Sequence, residues 1–300
     1  VEVRPVDVNY SGWDNTLEER TGKYTPIRLG FRQIKGLKEE DLMAFIVARQ
    51  EMFITINAIK DAGVSIGTLE RLADADAFRS LGLDRRQALW QVAALGDTPN
   101  GIFTGQRSDN ETEATIRLPA MTLPEHVVLD YAATSLSLKA HPVSFVREQL
   151  NQCHITAAKD LTQLKDGSYV KVAGLVLVRQ RPGTASGIVF ITLEDETGIA
   201  NTVVFAKLFD TYRKEILRAK LLMVEGKLQK EGEVIHIIAK RCHDMTNLLK
   251  QLGPVAEDHS VQTLSRADET DYDNYQAKNN KRQKQIAVQA EIFPEGRNFK

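Results

Sequence analysis

The sequence predicts an α+β chain in which a cluster of small helices is followed by a small closed β-barrel and a polar tail. Three observations predict it. Before residue 95, apolar residues recur at helical spacing in short stretches. From Gly167 the period changes to two over five segments, with one helix between the third and the fourth. Beyond the last of them the chain turns polar and mixed in charge, the composition of a disordered tail.

Residues 1–26 read as an extended segment that opens on the strand-like run VEVRPVDV, with turns at Ser11-Gly12 and Thr21-Gly22. The region 27–95 holds helices predicted over Glu39–Gln50, Thr68–Ala75 and Asp84–Leu95. In the first of these, Leu42, Phe45 and Ile46 set the spacing, and Glu39, Glu40 and Asp41 suit a helix N-terminus. A polar stretch, 96–122, reads as a flexible linker. Connecting helices fill 123–165, opened by Leu123-Pro124-Glu125-His126 and by His141-Pro142. In 166–248 the strands are YVKVAGLVLVRQR, IVFITLEDE, ANTVVF, LLMVEGKLQ and VIHIIAKR, with the helix Ala206–Arg218 among them. Five short strands and one helix in that order match the OB-fold, in which closure hides the sheet edges. Residues 249–300 form the polar tail.

Hydrophobic residues make up 42% of the chain and charged residues 26%, as in a folded domain, and the formal net charge is -1. No global basic field advertises a nucleic-acid partner, so any such signal must be local. The 2 cysteines are too few for a disulfide framework and point to reduced thiols in the cytoplasm. No apolar run approaches the ~20 residues of a membrane span, and the N-terminus lacks the features of a signal peptide. A chain that opens without Met on a strand-like run reads as a piece of a larger protein.

The densest motif is the strand ending Arg179-Gln180-Arg181. Residues two apart on a strand share a face, so Lys171, Arg179 and Arg181 are predicted to point one way, with Val172, Val176 and Val178 on the other. Such spacing suits phosphates along a nucleic-acid strand, with Phe190 and Phe205 as stacking platforms. The competing reading makes the aromatics core and the arginines solvated hairpin ends. Residues 168–245 carry 12 Lys/Arg against 9 Asp/Glu, a mild local excess. Gly174, inside the same strand, marks a barrel bend or a close backbone approach.

Glu194-Asp195-Glu196-Thr197-Gly198 superficially offers paired acids for a metal, but a run that ends a strand in a glycine turn is given a structural role. The pairs Cys153-His154 and Cys242-His243 fit no zinc-ligand spacing, so no metal site is expected. Ile34-Lys35-Gly36-Leu37, followed by Lys38 and a helix, reads as the turn of a helix-hairpin-helix element. Its backbone N–H groups can hold a DNA phosphate without reading sequence. Leu81-Gly82-Leu83-Asp84-Arg85-Arg86 reads as a second copy, with Arg85 and Arg86 adding charge. Ordinary helix packing is the rival for both.

Four blocks carry a resemblance: RLGFRQIKGL, ADAFRSLGLDRRQALW, LSLKAHPVSFVREQL and VAGLVLVRQRPGTASGIVFITLEDETGIANTVVF. In that order they resemble the C-terminal half of the alpha-type (family C) bacterial DNA polymerases, in particular the error-prone, damage-induced branch. The likeness runs from about residue 3 to 250, and the closing FPEGRNFK looks like that branch's C-terminus. The resemblance implies an end-of-fingers segment, tandem helix-hairpin-helix elements on duplex DNA, and an OB domain near the single-stranded template. It further implies a parent enzyme that extends primers with Mg²⁺ and bypasses lesions together with accessory mutagenesis proteins. The family's catalytic aspartates lie upstream of Val1, so this piece is expected to hold no catalytic residue and no cofactor, and not to polymerise alone. No Gln-x-x-Leu-Phe-type peptide occurs between 96 and 125, so direct sliding-clamp binding is not expected. Nor is a further domain of the kind the replicative branch carries expected after the barrel. The rival readings are a stand-alone single-stranded DNA-binding protein, the replicative alpha subunit, and an RNA-side OB protein.

Overall fold

The computed structural model describes residues 1–20, 22–96, 118–182, 187–232, 234–252 and 297–299. The turn expected at Thr21, most of the linker 96–122, Thr184 in the hairpin after Arg181, and residues 253–296 of the tail lie outside the described residues. The chain divides into two units, residues 1–122 with 129–138, and residues 123–128 with 139–300.

The first unit begins with three two-residue strands. β1 (Val3–Arg4) runs parallel to β3 (Ile27–Arg28), and β2 (Thr16–Leu17) runs antiparallel to it. Four helices follow: α1 (Glu40–Ala48), α2 (Ile56–Asp61), α3 (Ile66–Asp74) and α4 (Arg85–Gly96). The second half of α5 (Leu123–Thr134) completes the unit. Phe31, Phe45, Leu69, Leu72 and Phe78 form its buried core. Phe45 stacks on Phe53 at 5.1 Å between ring centroids. α2 had no counterpart in the sequence reading, because six residues are shorter than the window over which helical spacing can be counted. Thr55 and Ser65 cap α2 and α3, accepting the N–H of Ala58 and Thr68.

In the second unit a 3₁₀ turn (Pro142–Val146), α6 (Arg147–Gln152) and another 3₁₀ turn (Ala158–Gln163) lead into the barrel. Its strands are β4 (Tyr169–Gln180), β5 (Val189–Asp195), β6 (Gly198–Val204), β7 (Leu221–Glu231) and β8 (Val234–Asp244). They pair in the order β5-β6-β8-β7-β4, and a β4–β5 pairing closes the sheet. All contacts are antiparallel except β6–β8, which is parallel. This is the five-stranded OB barrel that the sequence predicts. Val172, Ile191, Leu193, Val224, Leu228 and Ile237 fill the interior. The predicted helix Ala206–Arg218 is two, α7 (Ala206–Thr211) and α8 (Arg213–Arg218), broken at Tyr212 where the backbone leaves helical angles. α9 (Thr246–Lys250) follows the barrel, and β9 (Arg297–Phe299) pairs in parallel with Val178–Gln180. The described ends of the expected polar tail are thus a helix and a strand.

Two local features of β4 decide what its side chains can do. Gly174 sits where β4 passes from its β7 partner to its β5 partner, and a Cβ there would lie 2.6 Å from the Glu194 carbonyl oxygen. The close backbone approach expected from the sequence is therefore real, and only glycine permits it. A β-bulge falls between Val176 and Val178. One extra residue reverses the alternation of faces beyond it. Val170, Val172 and Val176 point inward, but past the bulge Arg179 takes the inward position opposite buried Ile191, and Val178 and Gln180 turn outward.

Candidate nucleic-acid interface

Cross-strand register aligns a strip of side chains on the outer face of the barrel sheet, in which Val203 is buried. Gln180 pairs with Phe190, Phe190 with Val203, and Val203 with Ile238. Ile238 in turn pairs with Lys227, and Lys227 with Tyr169. Directly opposite residues on one face have side chains close enough to touch. The strip therefore runs from one half-buried ring, Phe190, to another that is 59% exposed, Tyr169, with a lysine between them. Phe205 lies two residues beyond Val203 in extended backbone and is 49% exposed, which extends the aromatic end. A second row, Thr192–Asn201–His236–Gln229, runs beside the first and is wholly polar. Thr192 Oγ1 lies 3.2 Å from Asn201 Oδ1, and the buried His236 Nδ1 has no hydrogen-bond partner among the described residues. A strip of apolar and aromatic side chains beside a row of donors and acceptors can stack bases and meet their edges.

The structure separates the three cations expected to share this face. Lys171 faces outward, 3.5 Å from Glu225 Oε1, on a half-exposed surface it shares with Arg241. Arg181 is exposed at the end of β4, its guanidinium 5.0 Å from the centre of the Phe209 ring. Arg179 is a correction. It is 5% exposed, and its guanidinium donates to the carbonyls of Ile216, at 2.6 Å from Nε, and of Ala219. The bulge has turned it from the phosphate face into the barrel, where it satisfies carbonyls at the end of α8. Phe190 is half-buried and Phe205 is exposed. Tyr169, Lys227, Val203 and Ile238 were missed, because only the register across four strands brings them into line.

The Glu194–Gly198 run has the structural role expected of it. Asp195 Oδ1 accepts the N–H groups of Thr197 and Gly198 and the Thr197 hydroxyl, while its Oδ2 accepts the Ala158 N–H at 2.8 Å. Arg147 donates to Asp195 and to both oxygens of Glu196. Burial pushes the Asp195 carboxyl up, but the hydrogen bonds and Arg147 outweigh it and hold it below the usual range. His141, 3.8 Å from Glu194, is pushed down by burial against the pull of that carboxylate. Cys242 lies in the barrel core, where burial pushes its thiol up to about 12, and Cys153 is exposed.

In the helical unit, Gly36 has φ +76 and Gly82 φ +75, so both predicted hairpins turn through the left-handed region. Lys35 is a strut: its N–H donates to Ala133 O and its Nζ to Tyr131 O, each at 2.9 Å, and burial lowers its pKa. Lys38 is exposed beside Gly36. Arg85 is the second correction. It is fully buried and ion-paired to Asp130, so it knits α4 to α5 and is not presented to a phosphate. Arg86 stays on the surface, donating to Pro119 O at 2.6 Å. A hairpin the sequence reading overlooked joins α2 to α3 through Gly63, φ +95, buried Val64 and the Ser65 cap. Its signal was present as glycine, apolar residue and capping serine in succession, but the short α2 concealed it.

A helix-hairpin-helix motif family matches residues 1–88, and the family of OB-fold nucleic acid binding domains matches residues 156–245. The chain is 40% identical to an error-prone DNA polymerase 1 of Rhizobium meliloti (strain 1021), over 100% of this chain and 30% of that protein. It is 44% identical to an error-prone DNA polymerase of Ruegeria pomeroyi over 89% of this chain and 24% of that one. With its counterpart from Brucella abortus biovar 1 the identity is 43%, over 84% and 24%. The chain therefore spans 24% to 30% of the length of the curated relatives it matches.

Proposed function

The chain belongs by sequence to the error-prone DNA polymerases, and from that premise we propose that it is the part of such an enzyme that holds DNA. In this reading the helical unit grips the backbone of the primer-template duplex through its glycine hairpins, and the barrel receives the single-stranded template. The whole protein would transfer nucleotides during translesion synthesis in the cytoplasm, with its catalytic carboxylates and Mg²⁺ outside this chain and with accessory mutagenesis proteins as partners. The isolated chain would then bind DNA without extending a primer. Among the described residues no group of His, Cys, Asp or Glu is placed to hold a metal ion.

The observation that carries the reading is the outer strip of the barrel, with Phe190 and Phe205 at one end and Lys227 and Tyr169 at the other. Stacking one base on an aromatic side chain is worth about 1–3 kcal/mol and tolerates any base, as a template-handling surface requires. Fluorescence anisotropy with labelled single-stranded DNA, duplex DNA and single-stranded RNA tests it. Phe190→Ala should weaken single-stranded DNA binding by about tenfold and leave duplex binding unchanged. Full single-strand affinity in the Phe190→Ala, Phe205→Ala double variant would sink the barrel assignment. A preference for RNA over DNA would move the chain to an RNA-side role.

A further inference from the structure

The first hairpin presents a charge problem. Lys35 and Lys38 are followed by Glu39, Glu40 and Asp41 on the opening turn of α1, all three exposed, so the local segment is net acidic. Lys35 is moreover engaged with Tyr131 O. A phosphate brought to Gly36 by this segment alone would meet as much repulsion as attraction.

The missing charge comes from another helix. Arg71, on the last turn of α3, lays its side chain against Gly36. A Cβ at position 36 would stand 3.2 Å from Arg71 Nε, 3.7 Å from Cζ and 3.8 Å from Cδ. The guanidinium is exposed and has no hydrogen bond or ion pair among the described residues. The peptide N–H groups of Gly36 and Lys38 likewise donate to nothing there. A left-handed turn with unspent N–H groups beside an unspent guanidinium is an anion-binding arrangement. Glycine at 36 thus does two things: it allows φ +76, and it leaves the space in which Arg71 lies.

We propose that Arg71 is a backbone-phosphate contact for duplex DNA, forming one composite site with the Gly36 turn and Lys38. This rests on the reading of the helical unit as the duplex-holding part. The site is built from both hairpin elements, because α3 follows the Gly63 turn and reaches back to the Gly36 turn. It takes the phosphodiester of any sequence, since contacts to phosphate carry no sequence information.

The test is duplex binding by the full chain, measured by anisotropy with a fluorescein-labelled duplex across a salt series, together with thermal unfolding. Arg71→Ala should weaken duplex binding roughly tenfold, as loss of a charge-assisted hydrogen bond does, and flatten the slope of log K against log salt by about 0.9. Its melting temperature should hold, because the side chain is exposed. Arg71→Lys should keep the slope and lose part of the affinity, since an ammonium cannot make the forked contact. Arg32→Ala, an exposed arginine paired with Asp14, should change neither. An Arg71→Ala chain with wild-type duplex affinity and slope but a lower melting temperature would make Arg71 a helix-end charge only, and overturn the site. An equal loss in Arg32→Ala would mean a diffuse field and overturn it too. If the wild-type chain binds single strands and no duplex, the reading of the helical unit fails first and the site falls with it.

Discussion

Arg179→Ala discriminates a phosphate-gripping arginine from a structural one. The guanidinium donates to Ile216 O at 2.6 Å and to Ala219 O, both near the end of α8, from a side chain that is 5% exposed. Removing it leaves two inward carbonyls without their charged donor, at about 1–3 kcal/mol each. Loss of the packed stem adds to this, and the total falls in the roughly 3–5 kcal/mol range seen when a buried charged interaction is broken from one side. At about 4–8 °C per kcal/mol for a domain the size of the barrel, it should melt roughly 12–40 °C lower. Circular dichroism on heating reads the shift. Anisotropy at a temperature where the variant is still folded should return wild-type affinity for single-stranded DNA. Arg179→Lys, which keeps a charge but can serve fewer carbonyls, should fall between. A variant that melts within about 2 °C of wild type and yet loses single-strand affinity would show the guanidinium reaching nucleic acid, and would refute the inward placement.

Two further perturbations probe the buried charges of each unit. Arg85→Met should cost about 3–5 kcal/mol in urea unfolding by leaving Asp130 buried without its cation. Asp130→Asn should cost less, and duplex affinity of the folded Arg85→Met chain should hold. The folded Asp195 carboxyl lies below its usual value, so its contribution is complete above the unfolded carboxylate range near pH 4 and fades as pH falls through the folded value. His141, also depressed, adds a loss of the same sign that begins below about pH 6.5. Melting temperature against pH should therefore decline in two stages, and Asp195→Asn should shrink the lower one, to which Glu18, also depressed by its hydrogen bond with Arg28, contributes too. A single-stage profile in both chains would contradict the Asp195 network.

The sequence made the barrel legible because its determinants are local and repeated. Alternation over β4 to β8, the turn at Asp195 and the tight approach at Gly174 each follow from a few adjacent residues. The bulge between Val176 and Val178 is different. It has no signature in a run of valines and leucines, and its effect appears only downstream, where parity is reversed for Arg179. Counting by twos therefore placed Lys171 correctly and Arg179 on the wrong side. Arg85 escaped for another reason: its partner Asp130 is 45 residues away, so the basic pair Arg85-Arg86 gave no hint that one member is buried. Gly36 and Gly82 were found because a glycine turn between apolar residues, just ahead of a helix, announces a left-handed residue. Arg71, which supplies charge to the first of those turns, is 35 residues from it and belongs to a helix that sequence alone connects to nothing.

These placements explain how a chain with a formal net charge of -1 can be built to hold a polyanion. Several of its arginines are spent inside: Arg179 on carbonyls, Arg85 on Asp130, Arg147 on Asp195 and Glu196, and Arg28 on Glu18. Among the described residues, the outward cations include Arg71 at the first hairpin and Lys227 within the aromatic strip. A surface of that kind gains little from a long-range field, which is screened within about 8–10 Å at ordinary salt. Its grip must come from short-range stacking and a few directed phosphate contacts. Single-strand binding by the barrel should consequently be shallow in its salt dependence, with the aromatic substitutions costing more than the loss of any one outward cation.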